Sequence, residues 1–238
     1  MKTTFTIFWK EFRGYFNSPV AYIFIISFLV FANWLFFKGF FLMNQASLRA
    51  FFSILPWVFL FLAPAMTMRS WAEEKKLGTV ELLMTLPVRD FEMVLGKFLA
   101  SFAFLMVTLL CTFPLPITVM LMGSPDAGAI WGSYLGAFLM GGAYLAIGCF
   151  ASSLTENQII AFIIAIFISF ALLVIGENFV LMNLPYRLVP VFAYLGLGAH
   201  FESIGRGVID SRDLVYYVSV IGFFLFLNSL SIESRKWK

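Results

Sequence analysis

Between Arg69 and Asp90 an otherwise apolar chain turns hydrophilic, reading RSWAEEKKLGTVELLMTLPVRD. Glu73, Glu74, Lys75 and Lys76 crowd into one turn, Gly78 follows, and Thr79 to Leu86 forms a short amphipathic stretch closed by Pro87. Ser70 and Glu73 have capping-box spacing, so a first helix is expected from Trp71 to about Leu77. Gly78 supplies its left-handed stop. Thr79 then reads as the N-cap of a second short helix, with Glu81 near its positive end. Val80, Leu83 and Met84 share one face of that helix. A short amphipathic helix of this kind is suited to docking. The apolar face either lies on lipid headgroups or enters a partner's groove, and Glu73, Glu74 and Glu81 weigh against anionic headgroups, which repel them.

The equipment for catalysis is missing from the sequence. There is no GxxxxGK[ST], because Gly96-Lys97 is followed by Phe98, so no loop here cradles a phosphate. HExxH and GxSxG are also absent, and His200 is the single histidine. The reading is that of a chain without enzymatic activity, cofactor or metal of its own.

The hydrophilic segment must be positioned by a membrane body. Hydrophobic residues make up 61% of the 238 positions and charged ones 12%, against roughly 45–50% and about 25% in soluble domains. A spanning helix needs about 20 mostly apolar residues. Six stretches approach that length: 20–42, 51–68, 98–122, 130–153, 158–176 and 214–230. The fold class is therefore all-α and polytopic, one membrane domain over 1–238. With both termini on one side, that side carries 11 of the 16 Lys and Arg, and the other has Lys38, Arg49, Arg187, Arg206 and Arg212. The positive-inside rule then puts the termini and the charged segment in the cytoplasm. The first apolar stretch lacks a small-residue cleavage site and does not read as a signal peptide. Cys111 and Cys149 both fall inside apolar spans and read as packed thiols without a disulfide.

Around this body sit three accessory elements. Residues 1–18 place Phe5, Phe8, Trp9, Phe12 and Phe16 near one helical face, as in an interfacial amphipathic helix. Residues 69–92 form the cytoplasmic segment described above. Residues 177–213 keep apolar residues at helical spacing, including Phe201, Ile204, Val208 and Ile209, and read as a re-entrant segment before the last span. In that segment Glu177 could pair with Arg187 or Arg206, and His200 reads as a packed residue. Pro56, Pro64, Pro114 and Pro116 should kink the second and third spans. Gly132 and Gly136 form a GxxxG pair, suited to close packing inside the protomer or to a dimer seam. Thr155 and Gln158 have capping-box spacing, which starts a helix near Glu156.

The run Trp71 to Val88 resembles the signature of type-2 ABC exporter permeases, E-(R/K)-x-x-G-T-x-E-x-L-x-x-x-P, matching at Glu74, Lys75, Gly78, Thr79, Glu81, Leu83 and Pro87. The resemblance extends to six spans, the amphipathic N-terminal helix and the re-entrant segment. Within that class, His200-Phe201-Glu202 and the stretch from Arg206 to Asp210 resemble the gliding-motility and copper-nitrous-oxide-reductase maturation permeases. The resemblance implies a multi-pass subunit of a bacterial cytoplasmic (inner) membrane, with both termini cytoplasmic. Glu73, Glu74, Lys75, Gly78, Thr79, Val80, Glu81, Leu83, Met84 and Pro87 would then meet two copies of a separate ABC ATPase subunit, and ATP and Mg would be bound by that partner. A second permease copy or paralogue would complete the membrane dimer. Glu177, His200, Glu202 and Arg206 are the site residues of the extracytoplasmic re-entrant segment, a membrane-anchored partner with a large extracytoplasmic domain would join the assembly, and no nucleic acid is implied. Two rival readings remain: a scaffold driven by ATPase strokes, and a secondary transporter. The near absence of midplane charge counts against the second.

Overall fold

The computed structural model describes residues 2–43, 47–81, 88–207 and 210–234, and every regular element among them is an α-helix. In chain order these are α1 (Lys2–Asn17), α2 (Pro19–Met43), α3 (Arg49–Thr67), α4 (Arg69–Lys76), α5 (Asp90–Leu110), α6 (Pro114–Met122), α7 (Ala127–Leu154), α8 (Gln158–Val174), α9 (Asn178–Leu181), α10 (Val189–Leu195), α11 (Leu197–Gly205) and α12 (Ser211–Glu233). Among the described residues, five stretches are long and apolar enough to cross a membrane: Pro19–Phe40, Arg49–Lys76, Asp90–Met122, Ala127–Leu154 and Ser211–Glu233. The sixth expected span, 158–176, is the apolar α8 of 17 residues. At 1.5 Å per residue it reaches ~26 Å, against a hydrocarbon core of about 30 Å.

Helix α7 is the hub, packed on α3, α4, α5, α8, α11 and α12. Its small residues allow this. A Cβ on Gly141 would run into the Leu105 side chain, and one on Gly148 into Thr67 Oγ1. At Gly132 a Cβ would sit 2.6 Å from the Ile204 carbonyl oxygen, and at Gly136 3.1 Å from the Phe201 ring. The Gly132/Gly136 face is therefore filled by α11 of the same chain, the use of a GxxxG pair inside one protomer.

Several boundaries depart from the sequence reading. The third span begins at Asp90, eight residues before 98, which places Lys97 in a helix interior. It breaks at Cys111–Phe113 ahead of Pro114, as proline demands, and Thr112 Oγ1 donates to the Leu109 carbonyl at 2.7 Å across the break. Asn157 caps α8, its side chain accepting from the Ile159 amide at 2.9 Å, and Thr155 Oγ1 instead accepts from the Asn157 amide. The 177–213 segment folds as α9, α10 and α11. Of these only α11 has a buried face, made by Leu197, His200, Phe201 and Ile204. This helix stops at Gly205, since Gly207 turns left-handed at φ 86°; Val208 and Ile209 lie outside the described residues.

Helix α1 is amphipathic as expected but lies against α5, where a Cβ on Gly96 would meet Ile7 Cβ at 2.9 Å. Phe5 and Trp9 face outward.

Gly132→Val should lower the melting temperature of the detergent-solubilised protein, by a loss of about 1–3 kcal/mol for overpacking. Gly14→Ala, whose Cβ would meet nothing within 4 Å, should leave melting unchanged or raise it slightly. Equal melting of the two variants would contradict the α7–α11 packing.

Candidate functional site

The charged segment is bolted to the bundle by its backbone and by two of its own charges. Helices α3 and α4 are nearly continuous: Met68 between them is right-handed helical, and its amide bonds the Pro64 carbonyl at 2.8 Å. Ser70 is therefore not an N-cap. The opening amides of a helix lack intrahelical acceptors, and here a residue of another helix supplies one. Ser152 Oγ, at the end of α7, accepts from the Trp71 and Ala72 amides at 3.0 and 3.1 Å. The same hydroxyl donates to the Met68 carbonyl at 2.9 Å. Lys75 turns inward and donates to the Ser153 carbonyl, which also accepts from Ser231 Oγ of α12 at 3.2 Å.

The second anchor is Lys97, 3% exposed at the side chain. An ammonium has three N–H donors, and each finds an acceptor: Glu74 Oε1 at 2.7 Å, the Ser70 carbonyl at 2.9 Å and Glu11 Oε1 at 3.2 Å. Its charge also lies 4.9 Å from the centre of the Trp71 ring, a favourable cation–π contact. A buried ammonium is tolerable only with such pairing. One residue of α5 thus joins α1 to α4. Tyr15 reinforces the joint, with its hydroxyl 3.2 Å from the Met66 carbonyl and 2.9 Å from Ser101 Oγ, and its ring stacked on Phe104. Burial pushes the Tyr15 hydroxyl well above the usual phenol range, so it stays protonated and able to donate.

What is left faces outward. Glu73 is half-buried, whereas Lys76, Leu77, Gly78 and Glu81 are exposed, Leu77 at 68%. Gly78 adopts φ 70°, the left-handed stop expected of it. Residues 79–81 are helical, so Thr79 lies within a turn of helix, and its hydroxyl donates back to the Glu74 carbonyl at 3.2 Å. Val80 is buried against its own chain at 6% exposure and offers nothing to a groove. Leu83, Met84 and Pro87 lie outside the described residues.

At the opposite end, His200 is buried between α10 and α12. Its Nδ1 is 2.6 Å from Asp213 Oδ1, its Nε2 is 2.8 Å from the Tyr194 carbonyl, and its ring stacks on Tyr216 at 3.9 Å. Since a carbonyl can only accept, Nε2 carries a hydrogen there. Packing accounts for this histidine. Arg206 pairs with Glu202 at 3.4 Å on the surface, and Glu177 forms no ion pair among the described residues. Glu177, Glu202 and Arg206 do line one cavity of about 880 Å³.

Four of the anchors escaped the sequence reading. Glu11 and Tyr15 fall on the same helical face as Phe8 and Phe12, a spacing that would have marked them as inward. Lys97 could have been found as an ionisable residue in the first turns of a span, had that span been started at Asp90. Nothing in the sequence singles out Ser152.

The long apolar helices, with a polar segment locked into one end of the bundle, define a multi-pass membrane protein. A model of the ABC-2 family transporter protein matches residues 10–232, and the chain belongs to that family. It is a multi-pass ABC permease that works with an ABC ATPase subunit. Among curated proteins, no match to the chain was found.

Ser152→Ala strips two buried amides of their acceptor and should cost about 1–3 kcal/mol. Hydrogen exchange at the Trp71 and Ala72 amides should quicken with it, and unchanged exchange would refute the cap. Lys97→Met leaves Glu74 without a counterion and Glu11 with only the exposed Lys10, 3.9 Å away, and should cost about 3–5 kcal/mol. Adding Glu74→Gln to Lys97→Met should recover part of that loss in the same thermal melt. No loss in Lys97→Met alone would mean the ion cluster does not hold the joint.

Proposed function

We propose that the chain is the permease of an exporter-type ABC transporter, and that the segment around Arg69 to Pro87 receives the stroke of two ATPase subunits that bind ATP and Mg. The observation that carries this reading is the Lys97 cluster. It ties a segment with an exposed outer edge to α1 and α5 through buried charge, so a push on that edge moves three elements as one. In this reading Lys76, Leu77 and Glu81 meet the ATPase, joined by Leu83, Met84 and Pro87. Glu74, Lys75 and Val80 pass the force inward. The permease pairs with a second copy or a paralogue in a bacterial cytoplasmic membrane. Helix α8 serves as the sixth span, and both termini and the charged segment are cytoplasmic.

At the outer end, the resemblance of the His200 stretch to gliding-motility and copper-nitrous-oxide-reductase maturation permeases supports a membrane-anchored partner with a large extracytoplasmic domain. Glu202 and Arg206 are the exposed residues that would meet it, and His200 shapes the surface from beneath.

Leu77→Asp combined with Glu81→Arg alters two exposed side chains. The double variant should keep its melting temperature while coupled ATPase activity in the reconstituted complex falls by about tenfold, the scale of a lost interface hot spot. Normal coupling would remove the segment from the ATPase interface. A cysteine replacing exposed Lys76 should be labelled only from the cytoplasmic side, and labelling from outside would invert the topology.

A further inference from the structure

A second cavity, of about 790 Å³, opens between α1, α2, the α3–α4 junction and α5. That volume falls in the range of small-ligand sites, about 300–1,000 Å³. Its wall divides by chemistry. One part is apolar: Val20, Ala21 and Phe24 at the start of α2, Ala65 and Met66 at the end of α3, and Phe104 of α5. The other holds Lys10, Arg69 and Lys97 beside Glu11, Glu73 and Glu74, three charges of each sign. A site with this balance gives no net attraction to an anion or to a cation.

The charges are not used up internally. Lys97 spends its three donors on Glu11, Glu74 and the Ser70 carbonyl. Arg69 and Glu73, one turn apart on α4, line the cavity and form no ion pair among the described residues, not even with each other. Glu74 Oε2 is buried and has no hydrogen-bond partner among the described residues. A buried carboxylate oxygen without a donor is costly and calls for an N–H or O–H from whatever enters. Space, an apolar wall, a cation and an anion without ion pairs among the described residues, and the Glu74 acceptor lie together where α1 meets the first turns of a span.

We infer that this cavity binds a bilayer phospholipid whose headgroup carries both a phosphate and a primary ammonium, of the phosphatidylethanolamine type. The phosphate faces Arg69 and Lys10. The ammonium faces Glu73 and donates to Glu74 Oε2, and an acyl chain runs along Ala21, Phe24 and Met66. A choline headgroup has the same charges but no N–H, so it leaves the orphan oxygen unsatisfied. The inference rests on the proposed placing of α1 and α4 at the membrane surface.

The test uses the permease–ATPase complex reconstituted in vesicles of phosphatidylethanolamine and phosphatidylcholine in equal amounts, extracted gently and read by native mass spectrometry. The ethanolamine lipid should be retained over the choline lipid by about tenfold, the scale of one charge-assisted hydrogen bond. Glu73→Gln should flatten that preference, and Arg69→Gln, which removes a contact to the phosphate that both lipids carry, should lower retention of both. Gly14→Leu should expel the lipid without touching a charge, because Gly14 lines the cavity and its Cβ position faces open space. Equal retention of both lipids, retention of neither, or retention and preference unchanged in all three variants overturns the proposal. Displacement by soluble glycerophosphoethanolamine would also overturn it, since the acyl wall would then be idle. So would a disulfide between two copies carrying Lys10→Cys, which would put a second copy in the cavity. Labelling of the Lys76 cysteine in the same vesicles separates the two readings: lipid selectivity with outside labelling sinks the topology and not the lipid site.

Discussion

The buried ammonium of Lys97 is the constraint on which the cytoplasmic half, in the proposed orientation, depends. A charge 3% exposed cannot remain unpaired in an apolar setting, so wherever α5 goes, two carboxylates and a carbonyl must follow. Glu74 brings the charged segment and Glu11 brings α1. The direction of dependence matters: α1 and α4 have little else in common, and without Lys97 each would be held by its own separate contacts. A hydrophobic residue in the same place could pack as tightly, yet it would not specify which two carboxylates meet.

The second anchor works through backbone. The interruption at Met68, where α4 starts anew after α3, leaves opening amides that need acceptors, and a single hydroxyl, Ser152 Oγ, accepts from two of them while donating to the Met68 carbonyl. Together the two anchors divide the charged segment by role. Glu74 and Lys75, adjacent in sequence, both point inward, to Lys97 and to the Ser153 carbonyl. Their neighbours Lys76 and Leu77 point outward. A rigid inner side with an exposed outer edge is what a force-receiving element requires in the proposed function.

The other end is organised by volume. Gly132 and Gly136 admit α11 so closely that its backbone and the Phe201 ring occupy the places of their missing side chains. With α11 thus seated, His200 meets Asp213 of the last span and stacks on Tyr216. The polar residues of this segment therefore sort into two kinds, buried ones that hold α11 and surface ones such as Glu202 and Arg206.

Composition and apolar run length alone determined that the chain is a helical membrane protein. The pattern around Glu74 to Pro87 carried the resemblance that family membership bears out, and the stop at Gly78 was legible because only a left-handed residue ends a helix that way. The amphipathic spacing of α1 was also plain. Helix starts were less so, because a capping box records the local spacing of side chains. At Ser70 a hydroxyl from another helix caps the amides, and at Thr155 the neighbouring Asn157 takes the role. Only the tertiary structure decided which charges are internal. Glu74 and Lys75 look identical to Glu73 and Lys76 in sequence, and their opposite fates follow from where Lys97 and the end of α7 happen to lie. Sequence periodicity assigns a residue to a helix face, but whether that face meets water, lipid or a buried counter-charge is set by packing between elements far apart in the chain.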